Sequence, residues 1–210
     1  MAPTGEAYNT DWLYASTCNV HIATHRDWFT TYTAFPSHLR DATGTHLTPV
    51  SGIGTVDLSV RKLVGEAAKK GPPKNKNSTI TLRNVLYAPD LMCNVLGKPV
   101  TDEYDVSIGA ERWLMDKRNG AGVGLLDRNE AGWTKVVLKG QAKGDSRLGK
   151  AVDGKWLQAV WPEEERRRWE AEGGKLCIAD EYSSPGSVEV DPATGDLEYP
   201  SYCLALRGRA

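Results

Sequence analysis

Between positions 14 and 21 the chain crowds together Tyr14, Ser16, Thr17, Cys18, Asn19 and His21. These residues supply hydroxyls, a thiol, an amide and an imidazole. Such groups hydrogen-bond a ligand or relay a proton, and histidine is the usual general acid or base near neutral pH. Nucleophilic chemistry is a poorer match. Ser16 has no Gly-x-Ser-x-Gly context, and no His-plus-acid relay accompanies Cys18. Metal chemistry fits no better. His21 and His25 stand at helical spacing, yet Val20, Ile22, Thr24, Trp28 and Phe29 around them favour a strand. Cys18, Cys93, Cys177 and Cys203 are too far apart for a CxxC pair and are expected as reduced core thiols. No metal and no cofactor is expected.

The elements that must hold these groups read as many short strands. Residues 11–22 read as a strand pair built on Trp12, Leu13, Val20 and Ile22. An aromatic cluster of Trp28, Phe29, Tyr32 and Phe35 follows, closed by Pro36. Pro49–Val60 alternates apolar and small polar residues, a strand with a bend permitted at Gly52 and Gly54. Residues 61–77 are a basic Gly/Pro/Asn-rich connection. Thr79–Ala88 again has period two and should pair with the preceding strand, with Pro89 ending it. Further short strands are expected at Tyr104–Ile108, Arg112–Met115, Val123–Leu126, Trp133–Leu138 and Trp156–Trp161. Strands this short and this close together imply a closed sheet or sandwich. Pro162, the acidic run Glu163–Glu165, then Arg166–Arg168 and Trp169 predict a short surface helix stopped by Gly173-Gly174. Turns at Pro185-Gly186, Asp191-Pro192 and Thr194–Asp196 are expected in the tail. The chain reads as an all-β barrel over 1–139. Residues 140–210 read as a C-terminal extension packed on it, the two forming one structural unit.

Composition narrows the partners. Lys and Arg number 26 against 27 Asp and Glu, so there is no basic excess for coating nucleic acid. No apolar run reaches the roughly 20 residues that span a bilayer, and MAPTGEAYNT lacks the look of a secretion signal. A cytoplasmic protein without nucleic-acid or membrane partners is expected. Trp at 7 against Phe at 2 is unusual and points to large rings lining a space or packing a core.

Three segments in order carry a family resemblance. Trp12–Ile22 is similar to the W-x-x-D-S-G-A-[ST]-x-H-[MI] segment of copia-type retrotransposon proteases, with Trp28–Tyr32 fitting the aromatic stretch after it. Val50–Leu58 resembles their V-x-G-I-G-T-V-x-L strand. Leu82–Leu91 followed by Asn94–Gly97 resembles their L-x-N-V-L-Y-x-P-x-L…N-L-[LI]-[SG] block, and later segments at Trp113–Asp116 and Gly132–Lys135 fall on further strands. The resemblance covers residues 11–139 and implies a retropepsin-like β-barrel, whose active members are homodimers sharing one aspartate per subunit. The family's D-S-G falls on Ala15-Ser16-Thr17. Two carboxylates sharing a proton are needed for that chemistry, and alanine holds no proton, so peptidase activity is not expected. Asp11 is too far along the strand to substitute, and Asp41-Ala42-Thr43-Gly44 lacks the adjacent acid. No zinc knuckle, integrase or polymerase segment is read in this sequence. The resemblance therefore implies a domesticated barrel of the kind standing alone in filamentous fungi.

Three readings follow. In the first, the vacated cleft binds a small apolar molecule through Ser16, Thr17, Cys18, Asn19 and Trp28. His21 and Tyr14 would then be catalytic candidates in a cofactor-free cyclase or isomerase. The second is a non-catalytic protein-interaction module using strand edges or the old dimer face. A decaying fragment without a role is a third, disfavoured by retention of every barrel strand. Whether a homodimer persists is left open.

Overall fold

A computed structural model describes residues 2–62, 77–128, 131–141 and 158–174. The greater part of the basic connection at 61–77, and all the turns of the tail beyond 174, lie outside the described residues. So do Trp156, Cys177 and Cys203. The described chain is an all-β barrel-like domain with a few short helices, as expected.

The strands are β1 (Trp12–Ala15), β2 (His21–Ala23), β3 (Phe29–Arg40), β4 (Leu47–Arg61), β5 (Asn77–Tyr87), β6 (Asn94–Gly97), β7 (Tyr104–Ile108), β8 (Arg112–Asp116), β9 (Gly122–Arg128) and β10 (Thr134–Val136). The helices are α1 (Gly5–Asn9), α2 (Val100–Glu103) and α3 (Glu163–Ala171). The strands lie in one sheet of order β3-β4-β5-β2-β6-β1-β10-β9-β8-β7. The sheet curls back on itself. The far end of β4 meets the chain just after β10, with Arg61 donating to the Val137 carbonyl at 2.8 Å and Lys139 to Ser59 at 2.9 Å.

One sequence expectation needs correcting. β1 and β2 form where the strand pair was read, but they do not pair with each other. Each flanks β6, with β1 parallel to it from Trp12↔Asn94 to Ala15↔Gly97 and β2 antiparallel at Ile22↔Val95. Asn94 helps lock this arrangement. Its fully buried amide accepts from the Thr24 N–H at 2.8 Å and donates to the Thr10 carbonyl at 3.0 Å. The aromatic stretch does not end at Pro36 either. β3 continues to Arg40 across a register shift between Ala34 and Ser37, a position where proline's missing donor is tolerated.

Period two explains the long hairpin. Val50, Val56, Leu58 and Val60 of β4 are buried alternately with exposed partners, and β4 pairs with β5 from Gly52↔Tyr87 to Arg61↔Asn77. The bend falls at Gly54, where the Cβ of any other residue would stand 2.0 Å from the Thr31 carbonyl oxygen. In β5 the inward positions Ile80 and Leu82 give way to the buried pair Val85-Leu86. Between them Asn84 takes a left-handed φ of 54°, a conformation asparagine tolerates better than most residues. Val85 packs in one core cluster with Trp12, Trp28, Leu58 and Val136. Leu86 packs in a second with Leu13, Ile22, Phe35 and Val95. Each such fully buried aliphatic side chain contributes about 1.5–3 kcal/mol. Among the described residues no helix is long and apolar enough to cross a membrane.

Candidate functional site

The loop between β1 and β2 holds the residues singled out by their chemistry. β1 ends at Ala15, which is 6% exposed, and the Cys18 N–H closes a turn onto the Ala15 carbonyl at 3.1 Å. Lys98 then donates to the Cys18 carbonyl at 2.8 Å, pinning the loop to the exit of β6. The two chain segments come so close here that Gly97 must be glycine. A Cβ on it would lie 2.1 Å from the Val20 carbonyl oxygen and 3.0 Å from that of Cys18.

His21 opens β2 beneath this contact and is buried. The Gly97 N–H donates to its Nδ1 at 3.0 Å, which fixes the tautomer and puts the ring proton on Nε2. Desolvation pulls its pKa down to about 4, so the imidazole is neutral at physiological pH. A neutral ring holding a main-chain N–H is a structural brace with one spare donor. It is not poised to exchange protons near pH 7. The unfolded ring takes up its proton near pH 6.5 and the folded one near 4. The unfolded chain therefore binds more protons between those values, and stability falls as pH drops through that window. The loss from this group amounts to roughly 3 kcal/mol by pH 4. His21→Asn keeps an acceptor for Gly97 and carries no titrating group, so urea denaturation at stepped pH should show that decline in the parent chain only.

The other side of the loop is covered by the chain's own residues 159–169. Asn19 grips the Trp161 backbone twice, accepting from its N–H at 2.8 Å and donating to its carbonyl at 3.0 Å. Arg166 reaches back to the Asn19 carbonyl at 2.5 Å. Val160 adds a strand-like bridge to the edge of β3, exchanging N–H···O bonds with Arg40 at 2.9 and 2.7 Å. The Trp161 indole N–H donates to Ser37, whose hydroxyl donates to Glu165. Phe35 packs edge-on to both Trp161 and Trp169, with ring centres 6.5 and 5.0 Å away. The Arg168 guanidinium lies over the Phe35 ring and donates to the Pro36 carbonyl.

Strand alternation distributes the candidate residues over two faces. Tyr14 packs against the first core cluster, and Trp28 lies within it, edge-on to Trp12 and stacked on Tyr8 of α1. Burial raises the Tyr14 hydroxyl above its ordinary pKa. Ala15 and Cys18 belong to the second cluster with Ala159 and Trp161. Burial pushes the Cys18 thiol up to about 11, leaving it protonated at neutral pH. Ser16 and Thr17 are exposed on the turn. The loop therefore brings Cys18 and Asn19 together beneath Trp161, while Tyr14, Trp28 and His21 face elsewhere. Among the described residues no three of His, Cys, Asp and Glu converge as a metal site. Asp11, too far along the strand to stand in for the missing acid, is buried in an ion pair with Lys135 at 3.2 Å.

Sequence reading missed Trp161 and Arg166 as partners of the loop, and Ser37 and Arg168 as the groups that tie the 159–169 segment to β3. Their signal was the Trp-Pro ahead of the Glu/Arg run, which is equally consistent with a solvated helix.

Residues 12–104 match the family described as the Pol polyprotein, beta-barrel domain. That stretch begins with β1 and ends at the first residue of β7. The match supports a barrel derived from a retrotransposon polyprotein. No curated protein and no solved structure matches the chain.

Proposed function

We propose that this Pol-type barrel is a non-catalytic module that holds polypeptide, and that its binding surface is the seat formed by the 16–20 loop and the outer edge of β3. The observation that carries this reading is the segment already lying there. Residues 159–169 dock by a main-chain bridge to a strand edge, an amide clamp from Asn19 and one buried tryptophan. Those are the means by which a sheet edge recognises an extended peptide. The resemblance to copia-type proteases points the same way. Ala15 stands where their aspartate would be, and a pair of such chains would have no carboxylate dyad. Domestication of a protease barrel into a binding module is the history this implies.

The reading as a binder of small apolar molecules, with cyclase or isomerase chemistry, has less in its favour. Trp28 is packed in the core rather than lining a space. Cys18 and His21 are both uncharged at neutral pH, so neither a thiolate nor a titrating imidazole is at hand.

The test uses the full chain carrying Trp161→Ala, which removes the buried ring that anchors the segment and so weakens its hold on the seat, while the strands keep their pairing. A labelled peptide of residues 158–171 should bind this variant in trans and not the parent chain. Adding Asn19→Ala should weaken binding about tenfold, the worth of two neutral hydrogen bonds. A folded Trp161→Ala chain that ignores the peptide, yet gains melting temperature from apolar compounds, would return the small-molecule reading to first place.

A further inference from the structure

Beside the kink in β5 at Asn84 lies a partly open cleft of about 130 Å³, lined by Arg83 and Asn84 on the β5 side and by Asp102 and Glu103 of α2 on the other. For comparison, an engineered cavity of about 150 Å³ holds benzene. His21 lies in its lining, with Val100 and Tyr104 on the α2 side. The Nδ1 of that ring is committed to Gly97, so the hydrogen is on Nε2. Among the described residues nothing accepts from it. In a residue only 3% exposed that lines a cleft, an N–H that no protein group accepts takes its hydrogen bond from whatever occupies the cleft, water or ligand.

The rim decides what kind of acceptor suits this donor. It carries Asp102 and Glu103 against the single guanidinium of Arg83, which is held by Glu103 at 2.6 Å. An anion would meet a surplus of carboxylate. A cation would find only a donor at the His21 end. A neutral head with an acceptor oxygen at one end and N–H donors at the other satisfies both. We propose that the cleft between the β5 kink and α2 is a binding site for a small uncharged carboxamide, its carbonyl oxygen on the Nε2–H of His21 and its N–H groups toward the carboxylate rim. Both a free amide and the side chain of glutamine present this chemistry. The site uses none of the residues of the polypeptide seat, so its test is decided separately.

The experiment is a nitrogen-15 titration of the full chain, following the His21 Nε2 resonance and the Val100 amide. Acetamide should move both along a saturating curve in the millimolar range, as expected for so small a ligand. Acetate, identical in shape but charged, should not. Glutamine and glutamate repeat the contrast, and glutamine binding more tightly than acetamide would identify the side chain as the source. Saturation at similar strength would instead identify a free amide. His21→Asn, which retains the Gly97 bond, should abolish the Val100 response to acetamide. The proposal is overturned if acetamide produces no saturable shift in the parent chain, or if acetate matches it. Because the parent titration alone separates these outcomes, a folding defect in the variant would not obscure them.

Discussion

Lys135→Ala should cost the barrel about 3–5 kcal/mol, a large share of the roughly 5–15 kcal/mol that holds a domain folded. The Lys135 ammonium is 1% exposed and lies 3.2 Å from the Asp11 carboxylate, itself 3% exposed. Truncating the lysine strands a carboxylate on the β1 side of the sheet, where Leu13 pairs directly with Lys135. The second oxygen of Asp11 has no hydrogen-bond partner among the described residues, so the pair is not part of a fully satisfied network. That detail sets the second half of the prediction. Asp11→Val combined with Lys135→Met removes both charges at close to the original combined volume, and it should recover most of the lost stability. Urea midpoints for the two single variants and the double variant, fitted as a cycle, give the comparison. Equal loss in all three would mean that the pair itself stabilises the fold.

Gly97→Ala is the other substitution with a large expected effect. Its methyl would press on two main-chain carbonyls, those of Val20 and Cys18, and neither can swing aside as a flexible side chain can. Relief requires β6 to move away from the loop, which breaks the Lys98 bond to Cys18 and the Gly97 bond to His21 together. Overpacking alone costs about 1–3 kcal/mol. With two buried hydrogen bonds lost as well, the total should exceed about 3 kcal/mol. A matched control is Gly109→Ala, where a Cβ would have nothing within 4 Å. Thermal melts should separate the two variants by roughly 6–12 °C if the approach is that close. Coincident melts would mean that β6 has room to shift.

Why the sequence discloses some of this and not the rest is visible in particular residues. The hairpin of β4 and β5 is readable because each strand buries alternate side chains against one core, and alternation is a local pattern. The pairing of β1 and β2 is not readable, because the strand between them comes from Asn94–Gly97 and nothing in residues 11–22 encodes that distant partner. The chemistry of the 16–20 loop is legible as residue types, yet alternation along β1 sends Tyr14 and Ala15 into different clusters. The Glu/Arg run is legible as α3. Its role as a clamp is not, since Arg166 and Arg168 bind main-chain carbonyls of Asn19 and Pro36, which any residue would present. The cleft has one local clue, the loss of alternation between Leu82 and Val85 with asparagine at the break.

The amide clamp between Asn19 and Trp161 also has a history within each molecule's synthesis. The two residues are 142 positions apart. At about 5–20 residues per second, the ribosome takes roughly 7–28 s to deliver the tryptophan after the asparagine has been made. All ten of the described strands precede it, so the barrel is able to close while its outer strand still has a bare edge. A nascent chain in that interval offers the edge to any extended segment nearby, including the same stretch of a neighbour on the polysome. The last part of the described fold to be synthesised is thus the part that covers the β3 edge.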